Sequence, residues 1–72
     1  MQAEQILAKY LKDNSKDLEA IEYYGDAFGF QEKWDPAIIE YKKLVEAKPK
    51  EANYHYKYGG VLAMKALQVN KL

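Results

Sequence analysis

Side chains that could do chemistry are few in this 72-residue sequence. It has one serine (Ser15), one imidazole (His55) and no cysteine. A nucleophile needs an activating base within hydrogen-bond reach. Ser15 follows Asp13-Asn14 and reads instead as a helix cap. Glu19, Glu22 and Asp26 fall at three- and four-residue spacings, which put carboxylates on one helical face. General acid–base work would need a pocket that separates their pKa values; without one they form a solvated face. Tyr58-Gly59-Gly60 lies inside a helical pattern, whereas a phosphate-cradling loop sits between a strand and a helix. A single His without Cys excludes a Cys/His zinc site. The residues predict a non-enzymatic chain with no metal and no cofactor.

The elements that must position these groups are helical. The chain is rich in Ala, Lys, Glu and Leu, lacks Thr and has only three Val. In the first segment Ala3, Ile6, Leu7, Tyr10 and Leu11 recur at helical intervals. Ser15 is placed to cap a second helix, expected from about Lys16 to Glu32, whose stripe is Leu18, Ile21, Tyr24, Gly25 and Phe28. Asp35-Pro36 predicts the next start, with Asp35 as N-cap and Pro36 at the first helical position. The third helix turns Ala37, Ile38, Tyr41, Leu44 and Val45 inward and stops at Lys48-Pro49, because the residue before proline is pushed out of the helical region. The fourth runs from about Lys50 to near the end, with Tyr54, Tyr58, Val61, Leu62, Met64, Ala66 and Leu67 as apolar positions. Four helices joined by short turns predict an all-α, antiparallel array in a single domain.

Composition narrows the partners. Eleven Lys balance eleven acids and there is no Arg; nucleic acid calls for a basic surface, often with Arg forks, so no nucleic-acid partner is expected. No apolar run approaches the roughly 20 residues that span a bilayer. Met1-Gln2-Ala3-Glu4 lacks the basic start of a signal peptide, so no membrane insertion is expected and a cytoplasmic location is the default.

An internal repeat organises the helices. At an offset of 34 residues Ala3 meets Ala37, Lys9 meets Lys43, Lys16 meets Lys50, Tyr24 meets Tyr58, and Gly25 meets Gly59. Leu7 with Tyr41, Leu11 with Val45, Phe28 with Leu62 and Asp17 with Glu51 are similar pairs. His55 falls on Ile21, which reads as a partly buried packing position. Ile21, Tyr24-Gly25, Phe28, Trp34, Ala37-Ile38, Tyr41 and Pro49 together resemble one full tetratricopeptide repeat. In that pattern small Gly25 lets the next helix approach at small Ala37, with aromatics around the contact. The resemblance implies a right-handed helical solenoid: a half repeat over residues 1–17, a full repeat over 18–51 and a half repeat over 52–72. Ser15 stands where the family usually has Pro, and the turn Gln31-Glu32-Lys33-Trp34 lacks the Gly common there.

The resemblance also implies a function, the binding of a peptide or helix of another protein in a groove lined by the second and fourth helices. The matching groove positions are Glu19, Glu22, Asp26 and Phe30, with Asn53, Tyr56, Gly60 and Met64 opposite. A carboxylate clamp would want Lys and Asn where this chain has Glu22 and Asp26, so the expected ligand combines basic and apolar character. The alternative is a structural element. The fourth helix shows no polar outer face to cap a solenoid. Either the chain is excised from a longer array, or Leu62, Leu67, Val69 and Leu72 bury themselves in a homo-oligomer such as a homodimer. Residues 18–35 carry a local charge of −4 and residues 52–72 one of +3; as neighbours in a solenoid the two segments would complement each other within the chain, and the same asymmetry would set register and on-rate between copies.

Overall fold

The computed structural model describes residues 3–70. It contains four helices: α1 (Ala3–Asp13), α2 (Leu18–Phe30), α3 (Trp34–Ala47) and α4 (Ala52–Asn70). Each packs against its neighbour in chain order, α1 on α2, α2 on α3 and α3 on α4. The chain measures 39 × 33 × 13 Å. The thin direction exceeds a single helix, whose Cα cylinder is about 4.6 Å across, so the helices zigzag into a puckered layer in which α2 and α4 also meet through Lys57.

Such a layer has room for a core only in its middle. Ile21 and Phe28 of α2, Ala37, Tyr41 and Leu44 of α3, and Val61 of α4 are buried together. Tyr24 stacks obliquely on Phe28, ring centroids 4.5 Å apart. Ala37 and Leu44 lose all solvent contact. The small residue that permits close approach is Gly25, but what it admits is the ring of Tyr41 rather than Ala37. A Cβ at Gly25 would lie 2.5 Å from Tyr41 Cε1. Of the apolar positions expected on the fourth helix, only Val61 is fully buried; Leu62, Met64, Ala66 and Leu67 stay exposed. The cause is position: α4 has a neighbour on one side only.

Three boundaries differ from the sequence reading. Asp17, not Ser15, caps α2, its carboxylate accepting the Ala20 N–H at 3.2 Å. A carboxylate is favoured there because the first helical N–H groups lack partners. The Asp17 carboxyl also accepts from the Tyr10 hydroxyl at 2.6 Å, and these hydrogen bonds, Tyr10's first, hold its pKa below the usual carboxylate value. At α3 the helix starts at Trp34, with Lys33 as N-cap and no side-chain cap bond. Asp35 and Pro36 therefore lie inside the first turn, where a missing N–H still costs nothing. The reason is the turn before it. Glu32 N–H donates to Gly29 O and Lys33 N–H to Phe28 O, both at 3.0 Å, the paired bonds of a Schellman closure. That closure needs a left-handed residue, and Glu32 supplies it with φ of 57°. α4 begins at Ala52, two residues after the expected Lys50.

Candidate functional site

Two helices bring the predicted acidic positions against a basic partner. Glu22 and Asp26 project one turn apart from α2, and Asn53 and Lys57 project one turn apart from α4. Lys57 Nζ lies 2.8 Å from Glu22 Oε2 and 3.0 Å from both Asp26 oxygens. Asn53 Nδ2 donates to Glu22 Oε2 at 3.3 Å. The Tyr41 hydroxyl donates to Asp26 Oδ1 from below, and its ring centroid is 6.0 Å from Lys57 Nζ. Burial, and then the bond to Asp26, push the Tyr41 phenol far above its ordinary pKa. Burial works against the Lys57 charge, but the hydrogen bonds it donates to Glu22 and Asp26 outweigh that and raise its pKa. Two carboxylates and one ammonium leave one net negative charge. The cluster is thus mostly an internal strut that pins α4 to α2.

Lys57 was not among the residues singled out from the sequence. A signal for it was present: Glu22 to Asn53 and Asp26 to Lys57 are both 31 residues apart, so two i,i+4 pairs of complementary chemistry share one offset. The other expected groove residues scatter. Glu19 accepts from the Tyr23 hydroxyl at 3.3 Å. Tyr56 stands 82% exposed on α4. Met64 lines a hollow with Trp34, Leu67 and Glu32.

Phe30 belongs to a second feature. It is 89% exposed and stands with Tyr23 and Ala27 on α2 facing Ala3 and Leu7 of α1, around an open apolar hollow of about 640 Å³. The polar rim is Asp26, Gln31 and Glu4, whose carboxylate accepts from Gln31 at 2.6 Å and pairs with Lys33 at 3.4 Å. At the opposite edge of the layer α4 presents Leu62, Leu67 and Val69, 42%, 57% and 56% exposed; Leu72, expected on the same face, lies outside the described residues.

His55 is exposed rather than packed, and its ring N–H donates to the Pro49 carbonyl. Ser15 is exposed in the turn before α2, remote in sequence from that imidazole. Among the described residues no three His, Asp or Glu side chains gather closely enough to hold a metal ion, and no helix is long and apolar enough to cross a membrane. Compared with family models, curated proteins and solved structures, the chain shows no match to any of them.

Proposed function

We propose that the chain is a non-enzymatic protein-interaction module of the tetratricopeptide-repeat type, a short helical solenoid that takes up a helix of a partner protein. The observation that carries this reading is the apolar hollow between α1 and α2, where Phe30 stands 89% exposed over Leu7 and Ala3. Two antiparallel helices side by side leave a groove that receives a third by ridge-into-groove packing, with axes about 8–10 Å apart. Helix-in-groove recognition uses such an apolar trough with a few aromatic anchors. The 34-residue repeat and the Gly25–Tyr41 contact support the solenoid part of the reading. Because Lys57 already occupies the Glu22–Asp26 pair, apolar burial rather than charge selection supplies the affinity.

The test is an amide chemical-shift titration with a synthetic amphipathic peptide that has a leucine face and a lysine face. Shifts should cluster at Ala3, Leu7, Tyr23, Ala27 and Phe30. Phe30→Ser should weaken binding by about 2 kcal/mol, roughly thirtyfold, the worth of burying one large apolar side chain. Shifts confined to charged surface positions, or none, would overturn the reading.

A further inference from the structure

The two open faces of the layer carry the two halves of an interface that the chain already makes once. Inside the core, α2 meets α3 through Ile21, Gly25 and Phe28 against Ala37, Tyr41 and Leu44. The 34-residue offset carries the α2 set forward onto His55, Gly59 and Leu62 of α4, all exposed. It carries the α3 set back onto Ala3, Leu7 and Tyr10 of α1, of which Ala3 and Tyr10 are exposed and Leu7 half-buried. An α2-like face therefore lies open at one edge and an α3-like face at the other. They sit on opposite sides of a layer ordered α1, α2, α3, α4, so one chain cannot bring them together.

Gly59 is the most telling position. Gly25 has a packing reason, since Tyr41 occupies the space a Cβ would need. At Gly59 nothing lies within 4 Å of where a Cβ would stand, and a bare glycine inside an exposed helix is less stable than Ala there. In the repeat register, the residue that would press on Gly59 as Tyr41 presses on Gly25 is Leu7 of another copy.

We propose that the occupant of the α1–α2 hollow is α4 of a second copy of this chain, docked head to tail so that Gly59 receives the partner's Leu7. The inference rests on the helix-docking reading of that hollow. The α4 lysines do not guide this docking, because Lys57 pairs with Glu22 and Asp26 and Lys65 with Asp35 inside the chain; the repeat register alone sets it. The junction is bimolecular and sets Leu7 for Tyr41 and Leu62 for Phe28, so it separates on dilution before the chain unfolds. Being heterologous, it does not use itself up at two copies; each added copy offers a fresh α4 face.

Light scattering over a wide concentration range, with two single-face variants, tests this. Wild type should rise in mass past two copies as concentration increases. Gly59→Leu blocks the α4 face and Ala3→Glu blocks the α1 face; each alone should stay monomeric, with far-UV circular dichroism confirming the helices. Mixed one to one, the two variants should form a dimer and stop there, because only one pair of intact faces remains. If Ala3→Glu associates like wild type, the contact is not with α1 and the proposal fails; it fails equally if the mixture stays monomeric. Wild type that remains monomeric throughout also overturns it, and the leucine-faced peptide then separates the two readings. Shifts around Phe30 would leave the partner-helix function standing, whereas their absence would remove both.

Discussion

The same substitution at the two repeat-related glycines should move stability in opposite directions. Neither Gly25 nor Gly59 has positive φ, so Ala fits the backbone at both. At Gly25 the new methyl would lie 2.5 Å from Tyr41 Cε1 and 2.8 Å from Cδ1. The ring cannot swing aside freely: Tyr41 is 5% exposed and its hydroxyl is tied to Asp26. Overpacking of this kind costs about 1–3 kcal/mol, and contact this short belongs at the upper end. Replacing Gly by Ala inside a helix returns about 1 kcal/mol. The net effect of Gly25→Ala is a loss of about 2 kcal/mol, from those two magnitudes. At Gly59 only the helix term operates, so Gly59→Ala gains about 1 kcal/mol. For a chain of this size each kcal/mol shifts Tm by about 4–8 °C. Thermal unfolding followed by circular dichroism should thus show Gly25→Ala about 8–16 °C below wild type and Gly59→Ala about 4–8 °C above. The protein should be dilute enough to be monomeric, since association would raise Tm by mass action. Shifts of the same sign would refute the claim that the Gly25–Tyr41 contact has no counterpart at Gly59.

Glu32→Gly relieves a left-handed residue, worth about 1–2 kcal/mol, against about 0.5–1 kcal/mol for the entropy of glycine; urea unfolding should show a gain of about 0.5–1 kcal/mol. Lys57→Met removes the ammonium shared by Glu22 and Asp26 and leaves two facing carboxylates. It should lower stability by about 1–2 kcal/mol in low salt, with part of the loss recovered as salt screens the pair. Alkaline pH should destabilise the fold. Tyr41 and Lys57 both have folded-state pKa values raised above their ordinary values of 10.0 and 10.5, so the native state holds protons that the unfolded chain releases. Their contribution is complete below about pH 10 and is lost as pH rises through the folded values. Tyr41→Phe should flatten the fall in Tm between pH 10 and 12, and an unchanged slope would remove Tyr41 from the explanation.

The helices were legible because each carries its own apolar spacing, and α3 stops at Ala47 as Lys48-Pro49 requires. Caps were harder. Asp13, Asn14, Ser15 and Asp17 all suit a helix start, and the choice of Asp17 depends on its bonds to Ala20 N–H and Tyr10. The onset of α3 is set by the preceding Schellman closure through Glu32, a left-handed residue that nothing local announces. At the candidate site the sequence places Glu22 and Asp26 on one face and a basic segment beside them, but not which lysine faces them. Lys57 is 31 residues from Asp26, and only the packing of α4 over α2 decides whether that lysine points inward or to solvent. Burial on α4 is less than its apolar spacing predicts, for a related reason. An apolar residue such as Leu62 buries only if a neighbour exists on its side, and periodicity within one helix says nothing about neighbours.

The packing of the helices in chain order also sets an order of opening. α1 contributes no buried residue and packs chiefly on α2, with Glu4 reaching Gln31 and Lys33, while α2 and α3 share most of the core. In a row of elements held by nearest-neighbour contacts, the weakest end detaches first and the middle opens last. Amide hydrogens of α1 should exchange first, and those around Phe28, Tyr41 and Leu44 only on global unfolding. A protease supplied to the native protein would find its first cut in the Asp13–Asp17 turn. The cleaved product would keep α2–α4 paired but would present the α2 surface that α1 had covered.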